Sequence, residues 1–228
     1  MLYYPLASGE GNTKRDLALG DFDGDGLADV AISDPGAAEL IFYRQNPGIG
    51  LAEPVRFPAF ADIVGLSSAD VDNDGKSELA ILSIKEKVIG ISRFADDRLS
   101  FPKPLDLTGE PLAMELADID DDGAGDCVYV SKDANDLRTL RVSYGLAATG
   151  QDRGVLKLEK LKADPDGLKV FDVDQDGLQD VLIFVSYELP VLVRQVEKGK
   201  FEVVESPAAQ ASLIKDATLR SIEVADVD

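Results

Sequence analysis

The sequence predicts an all-β protein that is built from repeated four-stranded antiparallel units. Three observations support this fold class. An acidic nine-residue motif recurs along the chain, short runs of β-branched and aromatic residues follow each copy, and no segment has a convincing 3.6-residue period. The 228 residues are enough for one sizeable domain with its own core.

The motif reads D-x-D-x-D-G-x-x-[DE], and four complete copies are present. They begin at Asp21, Asp70, Asp118 and Asp172, at spacings of 49, 48 and 54 residues. A truncated fifth copy, DVD, begins at Asp226. Since four copies in phase are not expected by chance, a repeat of about 50 residues is the strongest signal in the chain.

Each repeat predicts four strands in order. Apolar residues two positions apart, such as Leu17 and Leu19, predict a first strand that runs into the acidic motif. The apolar second motif position, as at Phe22, is expected to continue the packing of that strand. Three further runs follow in each repeat. The second-strand runs are VAIS, LAILSI, CVYV and VLIFV, and the third-strand runs are ELIFYR, VIGISRF, LRTLRVSY and VLVRQV. The weaker fourth runs are EPVRF, FPKPL, GVLKLEKL and KFEVV, and their prolines predict an edge strand.

Four-stranded units of this length, arranged radially, form a β-propeller. A single unit cannot bury both faces of its sheet, whereas stacked neighbours can. The repeats span approximately 7–57, 58–105, 106–160 and 161–205, and a fifth starts in 206–228. We therefore expect residues 1–228 to form one partial propeller domain of a larger ring. A closed four-bladed ring is compatible with the size, but the truncated fifth motif argues against it.

Composition excludes several classes of function. With 43 acidic and 23 basic residues, the net charge is −20, which disfavours a nucleic-acid partner. The absence of histidine removes the commonest general base and the usual zinc ligand. The single cysteine, Cys127, lies in an apolar run and is expected to be a buried thiol. No catalytic constellation is recognisable, so we predict no catalytic residues and no enzyme activity.

The segment contains neither a recognisable signal peptide nor an apolar run of 18 residues. We therefore expect no membrane span in it. This expectation concerns the given segment alone.

The spacing within the motif predicts a cation site. In a tight loop, side chains at positions 1, 3 and 5 converge, and glycine at position 6 permits a positive φ. The carbonyl at position 7 and a carboxylate at position 9 would complete a shell of hard oxygen ligands. Such a shell suits Ca²⁺, and Mg²⁺ is the less favoured ion. Asp121, at position 4 of the third copy, is expected to point outward.

An EF-hand would require a bidentate glutamate at position 12 between two helices. This hypothesis fails because position 12 is apolar or aromatic and lies inside the next predicted strand. The residues there are Ile32, Ile81, Tyr129 and Ile183.

The motif, its period and the strand pattern resemble the FG-GAP/VCBS repeats of the integrin-α type β-propeller, although the letters FG-GAP themselves are absent. The resemblance implies one Ca²⁺ in each loop between the first two strands of a blade, and about seven blades in the ring. It implies these ligands, with the position-7 residue contributing its carbonyl: Asp21, Asp23, Asp25, Leu27 and Asp29; Asp70, Asp72, Asp74, Lys76 and Glu78; Asp118, Asp120, Asp122, Ala124 and Asp126; Asp172, Asp174, Asp176, Leu178 and Asp180. Glu78 replaces the usual aspartate, which either supplies a bidentate ligand or loosens the site.

The metal is expected to have a structural role, because five protein ligands leave little room for a substrate. The resemblance then implies a calcium-stabilised module that binds protein or carbohydrate, or mediates adhesion, at the cell surface or in secreted proteins. The alternative is the propeller domain of a secreted polysaccharide-active hydrolase or lyase. Extracellular, periplasmic or cell-surface calcium concentrations suit such sites. Aromatic and basic residues near the third strands are either ligand contacts or, as we prefer, ordinary packing and surface: Tyr43, Arg44, Arg93, Phe94, Tyr144 and Tyr187.

Overall fold

The computed structural model of the chain describes residues 15–147 and 150–204. Within these residues all regular secondary structure is β-strand, which confirms the all-β prediction. The described chain divides into two compact units. The first comprises residues 15–107 with residues 147 and 150, and the second comprises residues 108–146 and 151–204.

The first unit contains two four-stranded antiparallel sheets. Sheet 1 has the order β1-β2-β3-β6, and sheet 2 has the order β7-β8-β9-β12. Two small hairpins, β4-β5 and β10-β11, each lie between a third and a fourth strand. The strands are β1 Leu17–Gly20, β2 Asp29–Asp34, β3 Glu39–Tyr43, β4 Gln45–Asn46, β5 Gly50–Leu51, β6 Val55–Pro58, β7 Ile63–Ala69, β8 Glu78–Ser83, β9 Val88–Ser92, β10 Phe94–Ala95, β11 Arg98–Leu99 and β12 Lys103–Pro104.

The second unit repeats this plan without the small hairpins. Sheet 3 has the order β13-β14-β15-β16, and sheet 4 has the order β17-β18-β19-β20. The strands are β13 Glu110–Ala117, β14 Asp126–Lys132, β15 Arg138–Tyr144, β16 Gln151–Lys157, β17 Gly167–Phe171, β18 Asp180–Phe184, β19 Val191–Glu197 and β20 Lys200–Val204.

All four sheets are antiparallel meanders, as the four runs of each repeat predict. The fourth strand lies at the edge in every sheet, and the proline-containing β12 has only two residues. In sheet 3 the last strand begins earlier than the run GVLKLEKL suggested. Leu158 and Leu161 of that run lie beyond β16 and are buried. The two small hairpins were not predicted.

Within each unit the first strands of the two sheets lie side by side, β1 with β7 and β13 with β17. Side-chain carboxylates join these neighbours. Asp16 accepts a hydrogen bond from the Leu66 amide at 2.8 Å, and Glu115 accepts one from the Val170 amide at 2.6 Å. Neighbouring sheets are thus tied through their first strands.

The second and third strands contribute many of the apolar side chains in the core of each unit. Leu40 and Ile81 are fully buried in the first unit, and Leu140 and Val181 are fully buried in the second. Cys127 is likewise buried and has a free thiol, as predicted. Among the described residues, no helix has the length and apolar character needed to cross a membrane.

The predicted packing of the first strand holds with exceptions. The second motif position is buried at Phe22, Val71 and Ile119, but Val173 is 41% exposed. Leu17 and Leu19 form part of a strand as predicted, yet their side chains are 43% and 57% exposed. Alternation along β1 places only Ala18 between them in the core.

We expect Leu140→Ala to destabilise the chain by about 2–5 kcal/mol, because the change leaves a cavity in the buried core of the second unit. Urea unfolding of the 228-residue chain measures the loss. Val203→Ala is the control, since Val203 is 40% exposed in the same unit. Equal destabilisation by both changes would contradict the assignment of this core.

Candidate metal centres

Each acidic motif forms the connection between the first and second strands of its sheet. We call these connections loop 1 (21–29), loop 2 (70–78), loop 3 (118–126) and loop 4 (172–180). Position 9 already belongs to the second strand and pairs with the residue that precedes position 1. The four pairs are Gly20 with Asp29, Ala69 with Glu78, Ala117 with Asp126, and Phe171 with Asp180.

All four loops have the same backbone conformation at two places. The position-6 glycines have φ between 85° and 90°, as predicted: Gly26, Gly75, Gly123 and Gly177. Position 4 also has a positive φ, which was not predicted, at Gly24, Asn73, Asp121 and Gln175. Glycine, asparagine and aspartate are the residues that best tolerate this region, so position 4 contained the signal in loops 1 to 3, whereas Gln175 in loop 4 gave none.

The position-1 carboxylate holds the loop closed from inside. One oxygen accepts the amide of position 5 and the other accepts the amide of the position-6 glycine, in every loop. The distances are 3.1 and 2.9 Å at Asp21, 3.3 and 2.8 Å at Asp70, 3.1 and 2.8 Å at Asp118, and 3.2 and 2.8 Å at Asp172. This side chain is therefore oriented by the backbone before any ligand is considered.

The position-5 carboxylate has a local role in all four loops. Its Oδ1 accepts the amide of position 7 at 2.8–2.9 Å: Asp25, Asp74, Asp122 and Asp176. These side chains are exposed. In loop 4 the other oxygen, Oδ2 of Asp176, accepts a hydrogen bond from the Arg194 guanidinium at 3.3 Å.

The position-9 carboxylate is the buried member of the set. Exposure is 0% at Asp29, 3% at Glu78, 2% at Asp126 and 1% at Asp180. In every loop one of its oxygens accepts the amide of position 2, at 3.0–3.4 Å. In loops 1 and 4 the second oxygen also accepts the amide of Gln45 or Gln195, at 2.8 Å. Gln45 lies just after β3, whereas Gln195 is a buried residue of β19.

The loops bring predicted ligands together. In loops 1, 2 and 4 the carboxylates of positions 1, 3 and 9 each offer an oxygen within 4.8 Å of the other two; in loop 3 positions 1, 3 and 5 do so. Oxygens that bind one Ca²⁺ at 2.3–2.6 Å can be no more than about 5 Å apart. The clusters are Asp21, Asp23 and Asp29; Asp70, Asp72 and Glu78; Asp118, Asp120 and Asp122; Asp172, Asp174 and Asp180.

The residues fit a cation on a further ground. Oδ1 of Asp72 and Oδ1 of Asp120, both at position 3, are buried and have no hydrogen-bond partner. A buried carboxylate oxygen without a partner carries a large desolvation cost, which a bound cation would offset. The donor set consists entirely of hard oxygens, which suits Ca²⁺ or Mg²⁺ and not zinc.

Burial raises the pKa of all four position-9 carboxyl groups. The effect is largest at Asp126, where burial and the charges of Asp120 and Asp122 raise the pKa to about 7. Burial, followed by the charges of Asp122 and Asp118, also raises the pKa of Asp120. Burial is thus the main cause at both groups, and the neighbouring carboxylates of loop 3 add to it.

Arginine side chains approach three of the loops, and this arrangement was not predicted. Arg44 Nε lies 2.9 Å from Asp23, Arg93 lies 3.6 Å from Asp72, and Arg194 contacts Asp174 directly. In each case the partner is the position-3 carboxylate. The signal in the sequence was an arginine directly after the first, mostly apolar residues of the third-strand run. In the strand register this arginine lies opposite position 9 of the loop. For Arg44 and Arg93 the sequence analysis prefers ordinary packing or surface over contact with an external ligand, and neither alternative includes a contact with a loop carboxylate.

Other expectations have clear outcomes. The side chain of Asp121 is 87% exposed, so it points outward as predicted. The position-12 residues lie within second strands, and no helix flanks a loop in the described residues, which excludes an EF-hand. Tyr43 is buried and Tyr187 is 91% exposed. The truncated fifth copy, with Asp226 and Asp228, lies outside the described residues, and the position-7 carbonyls stay predicted ligands.

We expect the free energy of unfolding in EGTA to fall as the pH is raised from about 4 to about 7. The pKa of Asp126 is about 7 in the fold, against a reference value of 3.8, so the folded chain binds more protons than the unfolded chain in this range. The difference corresponds to a penalty on the order of 4 kcal/mol when Asp126 is ionised. Urea unfolding at successive pH values measures the slope.

Asp126→Asn should flatten that slope. Asp133→Asn is the control, because amide hydrogen bonds from Leu137 and Asn135 lower the pKa of Asp133, so its titration does not add to the fall. An unchanged slope in Asp126→Asn would contradict the assignment.

Comparison with known proteins identifies the repeat. Residues 21–81 match the family model described as an FG-GAP-like repeat, and this segment runs from loop 1 through loop 2 into β8. No curated protein matches the chain. The match confirms the resemblance found in the sequence: residues 21–81 form an FG-GAP-like repeat.

Proposed function

We propose that the chain is a calcium-stabilised β-propeller-type module that binds a protein or carbohydrate ligand. The observation that carries the metal part of this proposal is the repetition of one loop geometry four times. Each copy gathers three carboxylate oxygens within 4.8 Å. The FG-GAP-like repeat over residues 21–81 supports the propeller part.

In loops 1, 2 and 4 the cation would be held by the carboxylates of positions 1, 3 and 9, with positions 5 and 7 completing the shell. In loop 3 it would be held by positions 1, 3 and 5, with positions 7 and 9 completing the shell. The ion would supply positive charge at the point where like charges converge. The loops contain 17 of the 43 acidic residues, and four Ca²⁺ ions would bring the formal charge from −20 to −12. Ca²⁺ is favoured over Mg²⁺ because it accepts more oxygen ligands in a less strict geometry.

A structural role for the ion follows from the position-9 carboxylate. This buried group joins the loop and the second strand and, in loops 1 and 4, an amide in or directly after the third strand. A cation that neutralises it would stabilise three parts of the sheet together. The side-by-side first strands within each unit support a radial arrangement, since the first strands of propeller blades line the axis.

The ligand would be bound outside the loops. A groove of about 670 Å³ lies on sheet 3 of the second unit. Its lining includes the charged residues Glu110, Lys132, Arg141 and Lys157 as well as apolar residues such as Val155 and Leu156. Its volume falls within the range of small-ligand sites, and its charged lining suits a polar ligand such as an oligosaccharide. We further propose an extracellular, periplasmic or cell-surface location, where millimolar calcium would fill weak sites.

Chelation tests the metal role. We expect excess EGTA to lower the melting temperature of the 228-residue chain. The fall should be ~5 °C or more for each site whose Kd is exceeded about 100-fold by the calcium concentration used for comparison. Differential scanning calorimetry in excess EGTA and in ~2 mM calcium measures the shift. Equal melting curves in the two conditions would refute structural calcium.

A single ligand substitution tests the assignment of loop 4. Asp174→Ala should reduce the calcium stoichiometry by one site in isothermal titration calorimetry, because position 3 provides one of its clustered oxygens. Glu202→Ala is the control, since it removes an exposed acid from the same sheet. An unaltered stoichiometry in Asp174→Ala would refute the assignment.

A glycan array probed with the wild-type chain tests ligand binding, and a degradation assay on the same polysaccharides tests the hydrolase or lyase alternative. If the groove is the site, Lys157→Glu should lose at least about tenfold in affinity, whereas Lys200→Glu, on the exposed β20, should not. Release of shortened sugars would favour the enzyme instead.

A further inference from the structure

The residue opposite position 9 on the third strand differs among the four loops. Val30 pairs with Tyr43, so the next pair outward places Arg44 opposite Asp29. The same register places Arg93 opposite Glu78 and Arg194 opposite Asp180. In sheet 3, where Cys127 pairs with Ser143, the residue opposite Asp126 is Tyr144.

Because directly opposite residues of an antiparallel pair lie on the same face of the sheet, each arginine is directed toward its loop. Arg44 is held in place from outside: its guanidinium lies 5.2 Å from the centroid of the Phe94 ring and 2.9 Å from Asp97. Its Nε contacts Asp23 at 2.9 Å. The arginine therefore neutralises one of the carboxylates that a cation would need.

The other two arginines also approach the position-3 carboxylate, but at different distances. Arg194 contacts Asp174 directly and lies 3.3 Å from Asp176. Arg93 is more distant, at 3.6 Å from Asp72 and 3.8 Å from Glu78. Competition with a cation should accordingly be strongest in loops 1 and 4 and weaker in loop 2.

Loop 3 differs from the other loops in its balance of acidic and basic side chains. It carries a fifth acidic residue, Asp121, and Tyr144 replaces the arginine. Lys198 is nearby, but its Nζ donates to the backbone carbonyl of Asp120 at 2.8 Å and lies 3.6 Å from the exposed Asp121 carboxylate. Oδ1 of Asp120 has no hydrogen-bond partner.

We propose that Arg44, Arg93 and Arg194 compete with the divalent cation for the position-3 carboxylate, so that loop 3, with Tyr144, binds the cation most tightly. This inference rests on the proposed calcium function and adds an order of affinity to it. Loop 3 fills first, then loop 2, then loops 1 and 4. In the absence of the ion, the arginines act as internal counter-charges for their loops.

Calcium titration of the 228-residue chain by isothermal calorimetry at pH 7 tests the proposal. Asp120→Asn should remove the tightest binding event, whereas Asp174→Asn should remove a weak one. Arg44→Gln and Arg194→Gln should each tighten one weak site by at least about tenfold, because a positive charge next to the cation is removed. Tyr144→Arg should weaken the tightest site by a similar factor.

Two controls separate competition from general damage. Arg56→Gln removes an arginine of sheet 1 that pairs with Asp34 and Glu39 away from loop 1, and should leave every calcium affinity unchanged. Arg44→Lys keeps the positive charge and should tighten the loop 1 site less than Arg44→Gln does. Melting in EGTA provides a second measurement: Arg44→Gln should lower the melting temperature there and enlarge the rise that calcium produces.

The outcomes distinguish the two proposals. If the wild-type chain binds no calcium, the proposed metal function fails and this inference fails with it. If calcium binds but the arginine variants leave the affinities unchanged or weaken them, only the competition proposal is overturned. Tightening in Arg44→Gln and Arg194→Gln together with weakening in Tyr144→Arg would support it.

Discussion

A buried carboxylate at the start of each second strand is the constraint on which the repeat depends. Asp29, Glu78, Asp126 and Asp180 are at most 3% exposed, and each accepts the amide of the second loop position. A charge in this place must be neutralised, either by a proton, by an arginine or by a cation. The remaining acids of the loop surround it, and the backbone of the loop is shaped to hold them there.

This constraint explains why the loop is uniform while the strands vary. Positive φ at positions 4 and 6 turns the backbone, and the position-1 carboxylate closes the turn by accepting two amides. The strands need only be apolar on their buried faces, so Phe57, Val130 and Val193 serve the same purpose in different sheets. The loop sequence repeats closely because its carboxylates and positive-φ residues are each required. The buried strand positions vary because any apolar residue of suitable size satisfies them.

The fold was largely predictable because its signals are local. Runs such as ELIFYR and VLIFV place the strands, and the prolines near β12 mark an edge. The hairpin β10-β11 was not predictable in this way, because its turn residues Asp96 and Asp97 resemble an ordinary polar break. The exposure of Leu17, Leu19 and Val173 also depends on which neighbouring sheet covers each face, and a pattern of residue types does not contain that information.

The candidate sites were predictable in their members but not in their balance of charge. The spacing of aspartates identifies positions 1, 3 and 9, which cluster as expected in three loops. In loop 3 the cluster contains Asp122 in place of Asp126, and burial together with the like charges of Asp120 and Asp122 raises the pKa of Asp126. The contact of Arg44 with Asp23 joins residues 21 positions apart through the strand register, so it is found only once the sheet is known.

The most direct test of the account is a crystal structure of the 228-residue chain grown in saturating calcium, with the ions located by their anomalous scattering. The account predicts an ion in each described loop, within 2.3–2.6 Å of carboxylate oxygens from positions 1 and 3 and from position 9 or, in loop 3, position 5. It would be contradicted by well-ordered loops without an ion, in which the arginines still contact the position-3 carboxylates and the acids of loop 3 point into solvent.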